Sequence, residues 1–280
     1  MARKFLSLIL LLCTGISIFP LVPLFKIPLT SAEAEALKDR NSRITVSSLN
    51  GKTEIYPYEY ADRESIVSVV IDEGIEKIGE YAFLGCSNLK SITLPASLKV
   101  IEEGAFRECN SLGSLIIPEG VKVIPAYMCA WDENLKEVVL PESIVDIGRN
   151  SFAYCSSLDS INLPENLKHI GPNAFSFCTS LKEMDVPDSM EELESYAFSG
   201  CESLKRVKLP SNSNMLGELI LTGCLNLEEI ICNSPVPPAF DCDTPPIDPL
   251  ETNLWQGCTL TVPSESKPLY SKAPGWKYFF

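Results

Sequence analysis

The stretch "GEYAFLGCSNLKSITLP", residues 79–95, contains a pattern that the chain repeats four more times almost intact. The later copies are "AFRECNSLGSLIIP" from Ala105, "SFAYCSSLDSINLP" from Ser151, "AFSFCTSLKEMDVP" from Ala174 and "AFSGCESLKRVKLP" from Ala197. Each copy keeps an aromatic ring, a cysteine, a leucine and a proline in the same frame. A fixed frame of this kind predicts one structural unit that stacks repeatedly on itself.

The copies recur with a period of 23 residues. A cysteine occupies the same place in six copies, and Asp132 takes that place in one. A period of about 20–29 residues around L-x-x-I-x-L is typical of a leucine-rich repeat solenoid. The pattern therefore predicts such a solenoid over residues 64–232. The cysteine column is Cys86, Cys109, Cys155, Cys178, Cys201 and Cys224, and the leucine column is Leu89, Leu112, Leu135, Leu158, Leu181, Leu204 and Leu227.

Within each unit, x-I-x-L alternates apolar and polar residues, which predicts a short strand with Ile92 facing inward and Thr93 facing outward. Successive strands would pair in parallel about 4.8 Å apart, and the following proline would end each strand because it has no N–H for the ladder. We predict that L-x-x-I forms a second short strand or turn, and that G-x-x-A-F-x-x-C forms a tight helical turn. The fold class is thus a β-rich, right-handed solenoid with a parallel sheet. Its main strands are predicted to centre on Val69, Ile92, Leu115, Val138, Ile161, Met184, Val207 and Ile230.

A stack of repeats leaves an open edge at each end, so both ends need a cap. Residues 43–58 contain Asn50-Gly51 between two strand-like runs, which predicts a β-hairpin. At the other end, prolines break the period and "CTLTVP" is the last strand-like piece. We predict a linker with an N-terminal hairpin cap over 35–63 and a C-terminal cap over 233–280.

Residues 1–34 are predicted to be a signal peptide. Arg3 and Lys4 precede an apolar run that starts at Phe5 and ends at Phe19, and A-x-A patterns follow it. An uncleaved anchor is the alternative, because the apolar run is long for a signal. No other stretch offers the ~20 apolar residues of a membrane span. We therefore predict an exported protein, secreted or associated with the cell surface, with no membrane span after signal removal.

Composition and charge argue against several functions. The net charge is −14 and the isoelectric point about 4.6, so the chain lacks the basic face of a nucleic-acid-binding protein. His169 is the single histidine, and its column holds mixed residue types, so we interpret it as a solvent-facing side chain without a catalytic partner. The acidic residues leave a glycosidase-like pair open, but no pair stands out. We predict no enzyme activity, no catalytic residue and no cofactor.

The cysteine column favours packing over chemistry. Zinc sites use paired C-x₂₋₄-C spacing rather than single residues on a line. Stacked cysteines would keep their Cβ atoms one strand spacing apart, beyond the ~3.8 Å mean separation in a disulfide. We predict buried free thiols and no metal, with Cys242 and Cys258 in the terminal cap as the pair that would form a disulfide if any does.

The full motif A-F-x-x-C-x-x-L-x-x-I-x-L-P resembles the BspA-like leucine-rich repeat family. The chain ends as members of that family often end, with a V-P strand and a tryptophan-containing tail, at Val262, Pro263, Tyr270 and Trp276. The resemblance implies a surface or secreted protein of a bacterium. It also implies adhesion to host matrix proteins or to other cells.

The outward face of the main sheet is the first candidate binding site, because solenoids commonly bind on such an extended face. Its N-terminal half is apolar or carries hydroxyl groups, and its C-terminal half is charged. An ordinary solvated sheet would also show these residue types. The candidate residues are Val70, Thr93, Ile116, Glu137, Val139, Asn162, Glu183, Asp185, Arg206 and Lys208.

An aromatic stripe on the outer turns is the second candidate. Trp131, Tyr154 and Phe177 occupy one column, and they would either stack on a sugar or partner protein or pack on one another. From both sites we predict a monomeric binding or adhesion module for a host or cell-surface protein. The alternative is an accessory protein that captures a glycan or a peptide without catalysis.

Overall fold

The computed structural model describes residues 43–48, 51–212, 215–240 and 257–280. Over these residues the chain forms a solenoid whose short parallel strands form two series, called ladders below, and each ladder is divided into three hydrogen-bonded sheets. The front ladder contains β1 (Arg43–Val46), β3 (Ser68–Ile71), β5 (Ser91–Thr93), β7 (Ser114–Ile116), β9 (Glu137–Val139), β11 (Ser160–Ile161), β13 (Glu183–Asp185), β15 (Arg206–Leu209), β17 (Glu229–Cys232) and β19 (Thr259–Thr261). The back ladder contains β2 (Glu54–Ile55), β4 (Lys77–Ile78), β6 (Val100–Ile101), β8 (Val123–Ile124), β10 (Asp146–Ile147), β12 (His169–Ile170), β14 (Glu192–Leu193), β16 (Met215–Leu216) and β18 (Ala239–Phe240).

All eight predicted strand centres lie in strands of the front ladder, so the predicted β-rich parallel solenoid is confirmed. Neighbouring strands pair residues that are one repeat apart, as Val69 lies opposite Ile92 in the front ladder. Lys77 lies opposite Val100 in the same way in the back ladder. The columns of the sequence are therefore columns of the folded protein.

The predicted N-terminal hairpin is wrong. Ile44 of β1 pairs in parallel with Val69, and Ile55 of β2 pairs in parallel with Ile78. The two strands thus bond to the next turn of the solenoid and not to each other. Gly51 has a φ of +77°, which suits a corner of the coil as well as it suits a hairpin. The reason is that β1 and β2 bury their apolar residues as every later turn does, so the coil extends back to Arg43.

The predicted helical turn at G-x-x-A-F-x-x-C is also wrong. Alternate N–H groups bond to the next turn of the solenoid: Tyr81 to Glu103 O at 2.8 Å, and Phe83 to Ala105 O at 2.9 Å. Those N–H groups are therefore not available for the i→i−4 bonds of a helix. Tyr81 also has a φ of +52°, in the left-handed region that a right-handed helix does not visit. The outer turns form stacked β-turns with their own ladder of hydrogen bonds.

Aromatic rings fill the interior between the ladders and the outer turns. The rings of Phe152 and Phe175 stack with centroids 5.3 Å apart, and those of Phe175 and Phe198 stack at 5.7 Å. All three side chains are completely buried. Each of these turns therefore buries its ring against its neighbours, as expected for a solenoid whose units cannot cover their own apolar faces.

The C-terminal segment covers the last turn. β19 pairs in parallel with β17, and a short helix, α1 (Lys267–Tyr270), follows. The buried Trp276 donates from Nε1 to Pro238 O at 2.8 Å, and the Tyr270 hydroxyl donates to Ser234 O at 3.0 Å. In the described part of the chain, no helix has the length and apolar character needed to cross a membrane.

The cysteine column is a ladder of hydrogen-bond donors. The thiol of Cys86 donates to Tyr60 O at 3.1 Å, and the thiol of Cys178 donates to Phe152 O at 3.2 Å. Burial raises the pKa of Cys86 to about 12, so the thiol keeps its proton at neutral pH and is a poor nucleophile. The cysteines of the described residues are buried, and each thiol of the column donates to a backbone oxygen 26 residues earlier. Cys258 is also buried, and Cys242 lies outside the described residues.

Cys178→Ser is expected to lower the free energy of unfolding by about 1–3 kcal/mol. The C–O bond of serine is shorter than the C–S bond, so the hydroxyl would sit farther from Phe152 O in an apolar stack. Urea unfolding followed by circular dichroism measures the loss. Cys258→Ser is the control, because its thiol lies outside the cysteine column and its contact with Thr259 O is long, at 3.9 Å. Equal stability of Cys178→Ser and the parent chain would contradict a bonding role for the ladder.

Candidate binding face

The outward side chains of the front ladder, called the front face below, include an exposed apolar pair. Ile116 on β7 lies opposite Val139 on β9. They are 65% and 43% exposed, whereas Leu115 and Val138, one residue earlier in each strand, are buried. The alternation places the predicted residues outward, next to exposed Thr93. Two neighbouring β-branched side chains in water form the apolar part of the candidate site.

A groove lies beside this apolar pair, between β11 and β13. The front ladder is interrupted there and also between β5 and β7. The volume of the groove is about 630 Å³. Four of the predicted site residues line it, namely Asn162, Glu183, Asp185 and Lys208. This part of the front face is therefore a concave polar site.

Ion pairs extend the charged part of the front face beyond the groove. The Arg206 guanidinium lies 2.7 Å from Asp185, 3.8 Å from Glu183 and 3.8 Å from Glu229. Exposed pairs of this kind contribute only about 0–1 kcal/mol each. They can therefore exchange partners with a ligand at little cost.

The aromatic stripe is packed on itself. The rings of Trp131 and Tyr154 stack 5.4 Å apart, and those of Tyr154 and Phe177 stack 4.7 Å apart. The Arg107 guanidinium lies over the outer face of Trp131 at 4.6 Å. At the other end, a Cβ on Gly200 would meet the Phe177 ring at 2.7 Å. The neighbours of each ring thus occupy the faces that a sugar would need.

His169 differs from its predicted role as a plain solvent-facing side chain. It is part-buried, with Nδ1 3.1 Å from Asp146 Oδ1 and Nε2 2.7 Å from Glu194 Oε1. Burial alone would lower the pKa of His169, but the hydrogen bonds to Glu194 and Asp146 raise it above its ordinary value. Comparison of residues one repeat apart does not find Glu194, because it follows His169 by 25 residues rather than by 23.

Asp132 is a carboxylate buried in the cysteine column. Its Oδ1 accepts a hydrogen bond from the Cys109 N–H at 2.7 Å. Its Oδ2 is buried without a hydrogen-bond partner among the described residues. Burial raises the pKa of Asp132 well above its ordinary value, because a charged carboxylate loses its hydration there.

Asp132→Cys is expected to stabilise the protein by about 1–3 kcal/mol near neutral pH, because it removes an unsatisfied buried group. The raised pKa gives Asp132 a stabilising contribution that is present below the pKa of the unfolded chain and is lost as pH rises through the folded-state pKa. The gain should therefore be smaller at about pH 5 than at about pH 8. Urea unfolding at both values measures it. Glu133→Gln, an exposed neighbour, should show no gain, and a pH-independent or negative effect of Asp132→Cys would contradict this role.

Comparison with known proteins agrees with this architecture. Residues 53–144 and 122–237 match the model of the BspA type leucine-rich repeat region, in six copies. No curated protein matches the sequence. The family match covers more than half of the chain.

Solved structures of bacterial leucine-rich repeat proteins are similar to this chain. A leucine-rich cell surface protein from Faecalibacterium prausnitzii is 24% identical with a TM-score of 0.45, over 68% of this chain and 65% of its own, so the match spans less than two thirds of that protein. A T. pallidum leucine-rich repeat protein is 25% identical with a TM-score of 0.47, over 67% and 78%. A leucine-rich repeat protein from Bacteroides ovatus is 22% identical with a TM-score of 0.48, over 80% and 69%. With its 23-residue turns and its match over residues 53–237, the chain belongs to the BspA-type leucine-rich repeat family.

Proposed function

We propose that this chain is an exported bacterial binding module that holds a host or cell-surface protein on its front face, without catalysis. The observation that carries the proposal is the exposed pair Ile116 and Val139 beside the groove. Apolar side chains next to polar, exchangeable charges are the composition of a contact site. The basic and apolar start of the sequence supports export.

The dimensions of the face favour a protein that covers both halves. Val70 and Val139 lie three strand spacings apart, which is about 14 Å. That width holds an extended peptide, whereas a protein interface needs about 800 Å² on each side. A protein ligand must therefore also contact the charged part around Glu183, Asp185 and Arg206.

The experiment is a binding screen of the full chain by surface plasmon resonance against purified matrix proteins, with a glycan array in parallel. Saturable binding to a matrix protein supports the proposal. Binding to the glycan array alone would favour the glycan-capturing alternative. Turnover of a bound ligand would contradict a non-catalytic role.

The association rate is expected to fall as salt increases. Contacts among exposed charges are screened over the Debye length of ~8 Å at physiological salt, and the charged half of the face would steer the partner. Association rates measured between low and high salt test this. A rate that does not depend on salt would show that the charged half is outside the contact.

A further inference from the structure

We propose a divalent-metal site on the back ladder, with His169 Nε2 and the carboxylates of Glu192 and Glu194 as ligands. His169 on β12 lies directly opposite Glu192 on β14. Glu194 follows two residues later, and its carboxylate reaches the same imidazole. The ligand atoms of the three residues all lie within 4.8 Å of one another. This site is on the other ladder from the front face and does not depend on the proposed function.

Asp146 orients the imidazole for this role. Its Oδ1 lies 3.1 Å from His169 Nδ1, so the N–H at Nδ1 donates to the carboxylate and the Nε2 atom is directed towards the glutamates. A carboxylate behind a metal-binding histidine fixes its tautomer in many zinc sites. Asp146 is therefore a positioning residue.

The distances require only a small adjustment on binding. Bonds of about 2.0–2.2 Å around a tetrahedral ion place ligand atoms roughly 3.3 Å apart. His169 Nε2 and Glu194 Oε1 are 2.7 Å apart. The ligand atoms of the three residues lie within 4.8 Å of one another, and the Glu192 side chain is exposed while Glu194 is part-exposed. Both side chains can therefore adjust as the ion displaces the proton from Nε2.

An earlier turn of the same solenoid has different residues at the positions of His169 and Glu192. Lys77 occupies the column of His169, and its ammonium lies 2.8 Å from Glu102, which occupies the column of Glu194. That turn holds a permanent cation, and Val100 stands where the later turn has Glu192. In the later turn, His169 supplies a ligand nitrogen where the earlier turn has Lys77, and Glu192 supplies a further carboxylate where it has Val100.

The charges favour a cation at this place. When the imidazole is neutral, Asp146, Glu192 and Glu194 bring three negative charges around it, and the place that Lys77 fills in the earlier turn is taken here by His169. One nitrogen and carboxylate oxygens suit zinc and neighbouring divalent transition metals. Zinc is the probe of choice, and Co²⁺ reports the geometry.

Calorimetric titration of the full chain, without a polyhistidine tag, with zinc chloride at about pH 7.5 tests the proposal. One zinc ion per chain is expected at this site. Glu192→Gln should weaken zinc binding at least about tenfold, which is 1.4 kcal/mol. Glu191→Gln is the matched control, since it removes the same charge from an exposed neighbour that pairs with Lys168. It should leave binding unchanged.

The glutamine variant at position 192 separates a metal site from a structural ion pair. The hydrogen bonds of His169 go to Asp146 and Glu194. If these residues formed only an ion pair, Glu192→Gln would not change zinc binding. His169→Gln should abolish this zinc site and the visible Co²⁺ spectrum of nitrogen and oxygen ligands. It keeps every cysteine, so zinc taken up by thiols would survive it. Absence of zinc binding, or binding unchanged in His169→Gln or Glu192→Gln, would overturn the proposal.

Discussion

Phe175→Ala is expected to lower the free energy of unfolding by about 3–5 kcal/mol. The ring is completely buried and stacks on Phe152 and Phe198 in the turns on either side. In a solenoid each unit contacts only its neighbours, so the cavity would weaken the interfaces on both sides. Urea unfolding followed by circular dichroism measures the loss.

Phe177→Gly is the matched control two residues away. Phe177 has a φ of +60°, and glycine stands in the same column at Gly85, Gly200 and Gly223 with φ values of +67°, +72° and +76°. Glycine accepts this conformation without strain, and the ring is only part-buried on the outer turn. The loss should stay below about 2 kcal/mol. A loss as large as that of Phe175→Ala would mean that the outer stripe, and not the interior stack, holds the turns together.

The sequence predicted the ladders and the core because the period of the sequence equals the register of the strands. Ser68 pairs with Ser91 one repeat later, so a residue's column gives its neighbours on both sides. Along each strand, successive side chains face inward and outward in turn, so Leu115 is buried and Ile116 is exposed. Residue type and spacing were sufficient for these features.

Features set by the ends and corners of the coil were not predictable in the same way. Asn50-Gly51 indicates a tight change of direction, but the partner of the flanking strands depends on which apolar surface is available. The next turn of the coil supplied that surface through Val69 and Ile78. The outer turns carry a helix-like spacing, yet their N–H groups bond to the next turn.

The side-chain cluster around His169 was missed for a geometric reason. A column shows residues that lie side by side, whereas Glu194 reaches His169 diagonally. The earlier Lys77–Glu102 pair has the same 25-residue separation and would have been the signal. The groove also escaped prediction, since the interruption between β11 and β13 has no mark in the repeat pattern.

Ile116→Arg combined with Val139→Arg is expected to weaken ligand binding at least about a hundredfold, which is 2.7 kcal/mol. The two side chains are exposed neighbours on the front face, and each arginine would place a charge in an apolar contact. Because both side chains point into water, the melting temperature should change little.

Val100→Arg combined with Val123→Arg is the matched control. These valines are 45% and 46% exposed and lie on the back ladder, so the control adds the same charges to the opposite face. It should bind normally.

The most direct test of the front face is the affinity of these two double variants, together with Trp131→Ala plus Tyr154→Ala, for one ligand from the binding screen. We predict loss of binding only in the front-face variant at unchanged melting temperature. Normal binding by that variant, together with loss in the aromatic variant while it stays folded, would place the site on the outer stripe and contradict the account.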